Sequence, residues 1–238
     1  MSMNRLLKLV ENKTGGQPPK GSIRCEAGDD GVHLYVYDIL DSWFGVSAAD
    51  FSKELTAAQG KTVHLHINSP GGDVFEGRAM AAAISAHDAP VIAHIDGLVA
   101  SAATYLAMAA KEVRMTDGGM FMIHESMSLG FGNATELREL ADLLEKIDGT
   151  IAATYVQRTG KDLAQVQAWM AAETWFTAQE ALDNGFVDAI EPSSQKASNK
   201  WDLSGFKNAP KLPEPSQADL DELMRNQVAL NRARMRQF

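Results

Sequence analysis

The sequence of 238 residues has a single cysteine and no long uninterrupted apolar run. One cysteine cannot form an intramolecular disulfide, which suits a reducing compartment. The longest apolar stretch, residues 97–110, is interrupted by polar side chains and is shorter than the roughly 18 apolar residues that a membrane span needs. Residues 1–10 also lack the apolar segment of a secretory signal. We therefore expect a cytoplasmic protein without a membrane partner.

Basic side chains are also scarce. There are 22 Lys and Arg against 31 Asp and Glu, for a net charge of −9, and no basic stripe occupies the middle of the chain. Binding to nucleic acid depends on clustered Lys and Arg, so this balance argues against it. Hydrophobic residues make up 45% of the chain, which is typical of a soluble protein that buries a core.

The composition changes towards both ends of the chain. Residues 1–30 are polar and rich in glycine and proline, which predicts a flexible N-terminal arm. Residues 192–238 begin with a Ser- and Pro-rich linker and end in a helical tail from about Ala218. A single folded domain is therefore expected over residues 31–191.

Strand and helix patterns alternate through this domain. Period-two alternation predicts a strand at residues 62–67, and β-branched and aromatic content predicts one near 32–40. Further strands are expected near residues 91–95, 113–115, 120–124 and 187–190. Helical patterns follow several of them, at 48–58, 74–86 and 101–110, and Gly97 is expected to form a turn. This order predicts an α/β fold with a mostly parallel sheet.

One helix, over residues 133–159, is unusually long. Its apolar residues recur at alternating steps of three and four and form a narrow seam: Leu137, Leu140, Leu144, Ile147 and Ile151. Such a seam favours either a protruding arm that meets another subunit or an ordinary surface helix on its own domain. The pattern alone leaves both open.

Two segments carry features of nucleophilic catalysis. Ser101 follows a strand and begins a helix, where free N–H groups and the helix dipole favour a developing anion. A role as a plain helix cap is the alternative. Pro70–Gly72 likewise joins a strand to a helix, and its two glycines can expose an N–H group. A simple tight turn is the alternative there, because a phosphate-binding loop would need a lysine that is absent.

A hydroxyl nucleophile also needs a base. His124 ends a predicted strand and is the candidate, in competition with the other histidines of the chain: His33, His64, His66, His87 and His94. His64 and His66 alternate on one strand as a metal pair would, but no third ligand stands at a recognisable spacing. We therefore predict no metal site and no cofactor. Cys25 lies in a polar stretch without an evident base, which argues against a catalytic cysteine.

Three segments together resemble the ClpP-type (caseinolytic, Clp) serine peptidases: Ile67–Gly72, Gly97–Ala102 and Met122–His124. A fourth, from Trp175 to Asp188, is similar to the C-terminal signature of that family. The resemblance extends over roughly residues 32–190. It implies the ClpP/crotonase-like superfold, with the long helix as a protruding handle and a separate C-terminal tail.

The resemblance also assigns roles by position. Ser101 corresponds to the nucleophile, His124 to its base, and the N–H groups of Gly72 and Ala102 to the oxyanion donors. The third triad member is normally an aspartate, and Glu173 occupies its position here. Glutamate can orient an imidazole as aspartate does, so Glu173 is the predicted acid, with Asp162 and Asp188 as alternatives.

Within the family, three segments resemble the phage head-maturation (prohead) branch: Asp38–Gly45, Gly72–Gly77 and Ile147–Ala152. This implies a serine endopeptidase that forms an acyl-enzyme and processes capsid or scaffold proteins, in the host cytoplasm or the assembling virion. It also implies a homo-oligomeric ring, with stacked rings meeting through the handle helix.

Four other functions stay open. The chain could be the peptidase subunit of an ATPase-partnered Clp protease, which shares the same chemistry. A crotonase-like acyl-CoA enzyme would use similar oxyanion donors without needing both Ser101 and His124. The third alternative is a catalytically silent shell protein. The fourth is a peptidase with a Ser/Lys dyad that uses Lys111.

Overall fold

A computed structural model describes residues 23–192, 201 and 203–210 of the chain. Its strands are β1 (Arg24–Ala27), β2 (Val32–Val36), β3 (Val63–Ser69), β4 (Val91–Ala100), β5 (Glu112–Thr116), β6 (Met120–Ile123), β7 (Thr174–Thr177) and β8 (Ala189–Glu191). Its α-helices are α1 (Ala48–Ala57), α2 (Val74–Ala86), α3 (Thr104–Ala109), α4 (Ala134–Thr159), α5 (Leu163–Ala171) and α6 (Ala178–Asp183). Two 3₁₀ turns cover Ser101–Ala103 and Leu203–Gly205.

The described strands form one sheet in the order β1-β2-β3-β4-β5-β8, with β6 beside β4 and β7 beside β6. The pairs β1–β2 and β6–β7 are antiparallel, and the other pairs are parallel. This confirms the predicted α/β fold with a mostly parallel sheet. None of the helices within the described residues is both long and apolar enough to cross a membrane.

The alternation in β2 and β3 explains how the sheet packs. Every second side chain of each strand is buried, and the intervening ones are half-buried. The buried set joins apolar side chains of the helices in one core: Val32, Leu34, Val36, Val63, Leu65 and Ile67 with Phe51, Leu55, Met80, Ile84 and Leu106. The period of two therefore gives the sheet an apolar face and a polar face, and the polar face carries histidines.

Strand β4 continues to Ala100, so the prediction of a turn at Gly97 is wrong. Its first half pairs with β5 through Ile92–Ile95, and its end pairs with β6 through Leu98–Ala100. Because β6 supplies a second pairing partner, the strand runs on through the glycine. The side chain of Asn68 also accepts a hydrogen bond from the Leu98 N–H at 3.1 Å. The strand thus carries the chain directly to Ser101.

Helix α4 confirms the long helix predicted over residues 133–159. Asn133 caps it in a reciprocal box with Glu136, and Gly160 ends it in the left-handed conformation. The two halves of the helix differ in burial. Ile151, Ala152 and Tyr155 are buried, whereas the side chain of Leu137 is 45% exposed.

Regular structure is also present on both sides of residues 31–191. Strand β1 lies within the predicted arm; all four of its residues are exposed, so no apolar alternation marks it. The Arg24 guanidinium carbon lies 3.7 Å from the centroid of the Tyr35 ring, which holds this edge strand against β2. At the other end, the 3₁₀ turn Leu203–Gly205 lies within the predicted linker.

The chain divides into two compact units, residues 1–208 and 209–238. The helix predicted from Ala218, the first part of the N-terminal arm and most of the linker lie outside the described residues. The boundaries of the arm and the tail therefore stay predictions.

Candidate active site

Ser101 lies where β4 turns into the helical segment before α3. Its φ is +53°, a left-handed conformation that is strained for a residue other than glycine, whereas Ala100 before it is extended. Thr104 stabilises this turn, because its hydroxyl donates a hydrogen bond to the Ser101 carbonyl at 2.6 Å. The same hydroxyl lies 2.7 Å from the buried Tyr155 hydroxyl on α4. The strained turn is thus anchored to the core.

His124 stands next to Ser101 because their strands are neighbours. Strands β4 and β6 pair in parallel up to Ala100 and Met122, so the residues that follow leave the sheet at the same edge. The His124 Nε2 atom lies 2.7 Å from the Ser101 Oγ atom. The imidazole is 8% exposed. The structure therefore brings together the two predicted residues in a nucleophile–base geometry.

Glu173, the residue before β7, lies at the same edge of the sheet as His124. The antiparallel ladder of β6 and β7 ends at Ile123 and Thr174, so His124 and Glu173 are the next two residues in register. The Met170 carbonyl accepts from the Glu125 N–H at 3.3 Å and from the Glu173 N–H at 3.0 Å, which ties the two chain segments together. Glu173 is 7% exposed and has a φ of +51°. A buried carboxylate in register with the imidazole suits the predicted orienting acid.

The two alternative acids are engaged elsewhere. Asp162 caps α5, where its carboxylate accepts from the Ala164 N–H at 2.6 Å. Asp188 accepts from the Val113 N–H at 2.7 Å and pairs with Arg158. These contacts favour Glu173 over both.

The Gly71–Gly72 turn packs directly against the nucleophile. The Leu40 N–H donates to the Gly71 carbonyl at 2.9 Å and the Asp73 N–H donates to the Leu40 carbonyl at 2.8 Å, which fixes the turn to the chain after β2. A Cβ atom on Gly71 would lie 2.7 Å from the Ser101 Cβ and 3.0 Å from the Ala102 nitrogen. The φ of Gly71 is +94°. Only glycine fits this approach, which keeps the space before the Ala102 amide clear.

Ala102 is the second residue of the 3₁₀ turn, and first-turn N–H groups have no acceptor within their own helix. Gly72, which follows Gly71 in the neighbouring turn, is exposed. Donors at these two positions suit a carbonyl oxygen that gains negative charge next to Ser101.

The sequence did not reveal that the other strand histidines form a cluster. His33, His64, His66 and His94 line the polar face of β2, β3 and β4 with ring centroids 4.8 to 5.4 Å apart. His64 Nδ1 lies 3.0 Å from His94 Nε2, and His33 Nδ1 lies 3.1 Å from His66 Nε2. Within the described residues, no group of three or more metal-type side chains is arranged to hold an ion.

Comparison with known proteins agrees with this geometry. The sequence model of the Clp protease family matches residues 48–194, more than half of the chain. The chain belongs to the Clp protease family. It is accordingly a serine-type peptidase, and the mixed α/β architecture with its long helix is the ClpP/crotonase-like fold.

Among curated relatives of this Clp-family chain, the ATP-dependent Clp protease proteolytic subunit 1 of Protochlamydia amoebophila is 33% identical over 169 residues, which is 68% of this chain and 81% of the relative. A second such subunit, from Leifsonia xyli, is 29% identical and covers 70% of this chain and 92% of that protein. A solved ClpP1 mutant from Listeria monocytogenes superposes with a TM-score of 0.61 over 79% of this chain and 96% of that structure, at 21% identity. That structure supports the fold alone.

Proposed function

We propose that this Clp-family chain is a serine endopeptidase with Ser101 as nucleophile, His124 as general base and Glu173 as orienting acid. The contact between Ser101 Oγ and His124 Nε2, at 2.7 Å, carries the proposal. A serine hydroxyl is a weak nucleophile until a neighbouring base accepts its proton, and this distance allows the transfer.

The proposed reaction has two stages. In the first, His124 takes the Ser101 proton while Oγ bonds to the substrate carbonyl carbon, and the N–H groups of Gly72 and Ala102 stabilise the resulting oxyanion. The C–N bond then breaks, and the imidazolium returns its proton to the leaving amine. In the second stage His124 takes a proton from water, which attacks the acyl carbon. The bond between the acyl carbon and Oγ then breaks, the imidazolium gives its proton to Oγ, and the carboxylate product leaves.

A fluorophosphonate probe tests the nucleophile without requiring a known substrate. We expect rapid labelling of the full chain and none of Ser101→Ala, while His124→Ala lowers the labelling rate by orders of magnitude. Ser85→Ala, which removes an exposed hydroxyl on α2, is the matched control and should label like the parent. Undiminished labelling of Ser101→Ala would overturn the proposal.

We further propose that the substrates are capsid or scaffold proteins of a phage and that the peptidase acts during head maturation. The resemblance of Asp38–Gly45, Gly72–Gly77 and Ile147–Ala152 to that branch supports this substrate class. Purified procapsids that contain uncleaved scaffold protein are the test. Cleavage by the parent chain and not by Ser101→Ala is expected, and intact scaffold in both reactions would contradict the proposal.

The relatives favour a second candidate. Both are named as proteolytic subunits of ATP-dependent proteases, which supports a role beside an ATPase. A purified host Clp ATPase should then form a complex with this chain and stimulate degradation of an unfolded protein such as casein in the presence of ATP. Procapsid cleavage without any ATPase would favour the first candidate.

A further inference from the structure

A short segment beyond the matched family domain closes over the proposed catalytic acid. It comprises residues 203–208, which we name the closing segment, whereas the family match ends at residue 194. Leu203 is 5% exposed and Phe206 is 9% exposed, so apolar side chains hold the segment against the domain. The segment belongs to the same compact unit as Ser101 and His124.

Asn208 donates two hydrogen bonds to the turn at Ala172 and Glu173. Its backbone N–H donates to the Glu173 Oε1 atom at 2.7 Å. Its side-chain Nδ2 donates to the Ala172 carbonyl at 2.6 Å. The indole N–H of Trp175 points to the same Glu173 oxygen at 3.4 Å. Asn208 therefore fixes both the backbone of the turn and the carboxylate that emerges from it.

Phe206 covers the neighbouring imidazole. Its ring centroid lies 6.2 Å from that of His124 at an interplanar angle of 69°, and 5.4 Å from that of Trp175 at 85°. Both are edge-to-face arrangements typical of packed aromatic pairs. An apolar ring at this position restricts water around the imidazole and the carboxylate, which strengthens electrostatic interactions between them.

We propose that the closing segment is a working part of the active site, in which Asn208 and Phe206 are positioning residues for Glu173 and His124. The inference rests on the proposed function. Glutamate has one more rotatable bond than the aspartate usual in the family, so holding its carboxylate in one place costs more conformational entropy. A charge-assisted hydrogen bond from a fixed backbone N–H offsets that cost and selects one rotamer. The segment outside the family domain thus supports the longer acid.

The test measures fluorophosphonate labelling rates of full-length variants at pH 6 and pH 8. Asn208→Pro removes the backbone N–H together with the side chain, whereas Asn208→Ala removes the side chain and keeps the N–H, so their difference isolates the bond to Glu173. We expect Asn208→Pro to label roughly tenfold more slowly than Asn208→Ala, with a larger deficit at pH 6. The deficit should grow at low pH because the carboxylate has lost a donor that stabilises its ionised form. Lys53→Ala, which removes an exposed side chain on α1 outside the closing segment, should match the parent.

A second pair of variants addresses the aromatic cover. Phe206→Ala should slow labelling, and Phe206→Leu should restore most of the rate because it keeps an apolar side chain over the imidazole. If both Asn208→Pro and Phe206→Ala melt at lower temperature yet label at the parent rate with the parent pH dependence, the segment is only structural and the inference is overturned. If Asn208→Pro does not fold, the Phe206 pair decides by the same criterion. Loss of labelling in Ser101→Ala with parent rates in all closing-segment variants would overturn this inference and leave the proposed function intact.

Discussion

At the scale of single residues, the site depends on a backbone conformation that its sequence does not favour. Ser101 has a positive φ, which costs of the order of 1–3 kcal/mol outside glycine. The surrounding structure must therefore hold it there. Thr104 provides one such restraint, because its hydroxyl bonds the Ser101 carbonyl while it also meets Tyr155 in the core. Burial raises the pKa of the Tyr155 hydroxyl, so this link stays protonated and neutral over the physiological range.

Gly71 offers a sharp test of the space before the Ala102 amide. In Gly71→Ala the new methyl group would lie 2.6 Å from the Ala100 carbonyl oxygen and 2.7 Å from the Ser101 Cβ, so the turn or the nucleophile must move. We expect the fluorophosphonate labelling rate to fall by about 10²-fold, comparable to the loss of one oxyanion donor.

Gly60→Ala is the matched control for this substitution. Gly60 also has a positive φ, +79°, but an added Cβ there meets no atom within 4 Å. It therefore introduces similar backbone strain without the collision, and labelling should be unchanged. Equal labelling of Gly71→Ala and Gly60→Ala would show that the close approach of Gly71 has no role in catalysis.

At the scale of the sheet, the histidine cluster should make stability depend on pH. Burial lowers the pKa of His94 and of His64 below the ordinary histidine value, although Glu191 and Asp30 oppose the effect. The unfolded chain then binds protons more readily than the native one, so stability is present above about pH 6.5 and is lost as the pH falls below it. The two remaining members of the cluster, His33 and His66, stack on these rings. Asp96 bonds His66, Tyr35 stacks on His66, and the positive charge of Arg114 acts on His64.

We therefore expect the free energy of unfolding to be lower at pH 5.5 than at pH 7.5 in urea titrations. His64→Gln/His94→Gln should lose much of this difference. His87→Gln is the control, since His87 lies outside the cluster and its ring contacts the Lys61 carbonyl. An unfolding free energy that stays constant from pH 7.5 to pH 5.5 in the parent chain would contradict the expectation.

Elements with a clear period could be predicted from the sequence, and those fixed by tertiary partners could not. The alternation in β3 reflects burial on one face, and the apolar residues of α4 recur on one side of the helix, so the local sequence records both elements. Gly97 was predicted to form a turn because the neighbouring sequence does not indicate that β6 pairs with the end of β4. Strand β1 carries only exposed residues and leaves no pattern.

The same distinction applies to the site. Ser101 and His124 were predicted because they lie in contiguous motifs at the ends of strands, and the structure places them in contact. The contacts of Thr104 with Tyr155 and of Asn208 with Glu173 join residues 51 and 35 positions apart, and only the fold brings them together. Residues that support catalysis from a distance in sequence thus carry no local signal.

At the scale of the whole molecule, α4 has an apolar surface that its own domain covers only in part. Leu137 is 45% exposed and Leu143 is 49% exposed, while Leu140 and Leu144 are half-buried. Apolar side chains recurring at steps of three and four suit the packing of one helix against another. We propose that the partner is a second copy of this chain. In such an assembly the apolar seam of α4 in one copy would pack against the same seam in the other copy.

Sedimentation velocity with Leu137→Asp tests this assembly. A carboxylate in the seam would be buried without a partner in the oligomer, so we expect the sedimentation coefficient to fall towards that of a smaller assembly. Gly149→Asp adds the same charge on the opposite side of α4, where an added Cβ meets no atom within 4 Å, and should sediment like the parent. The far-ultraviolet circular dichroism spectrum should be the same for both variants, since Leu137 is 45% exposed and a side chain at position 149 has open space. If Leu137→Asp sediments with the parent, the seam is not the contact between copies, and the exposed half of α4 needs another partner.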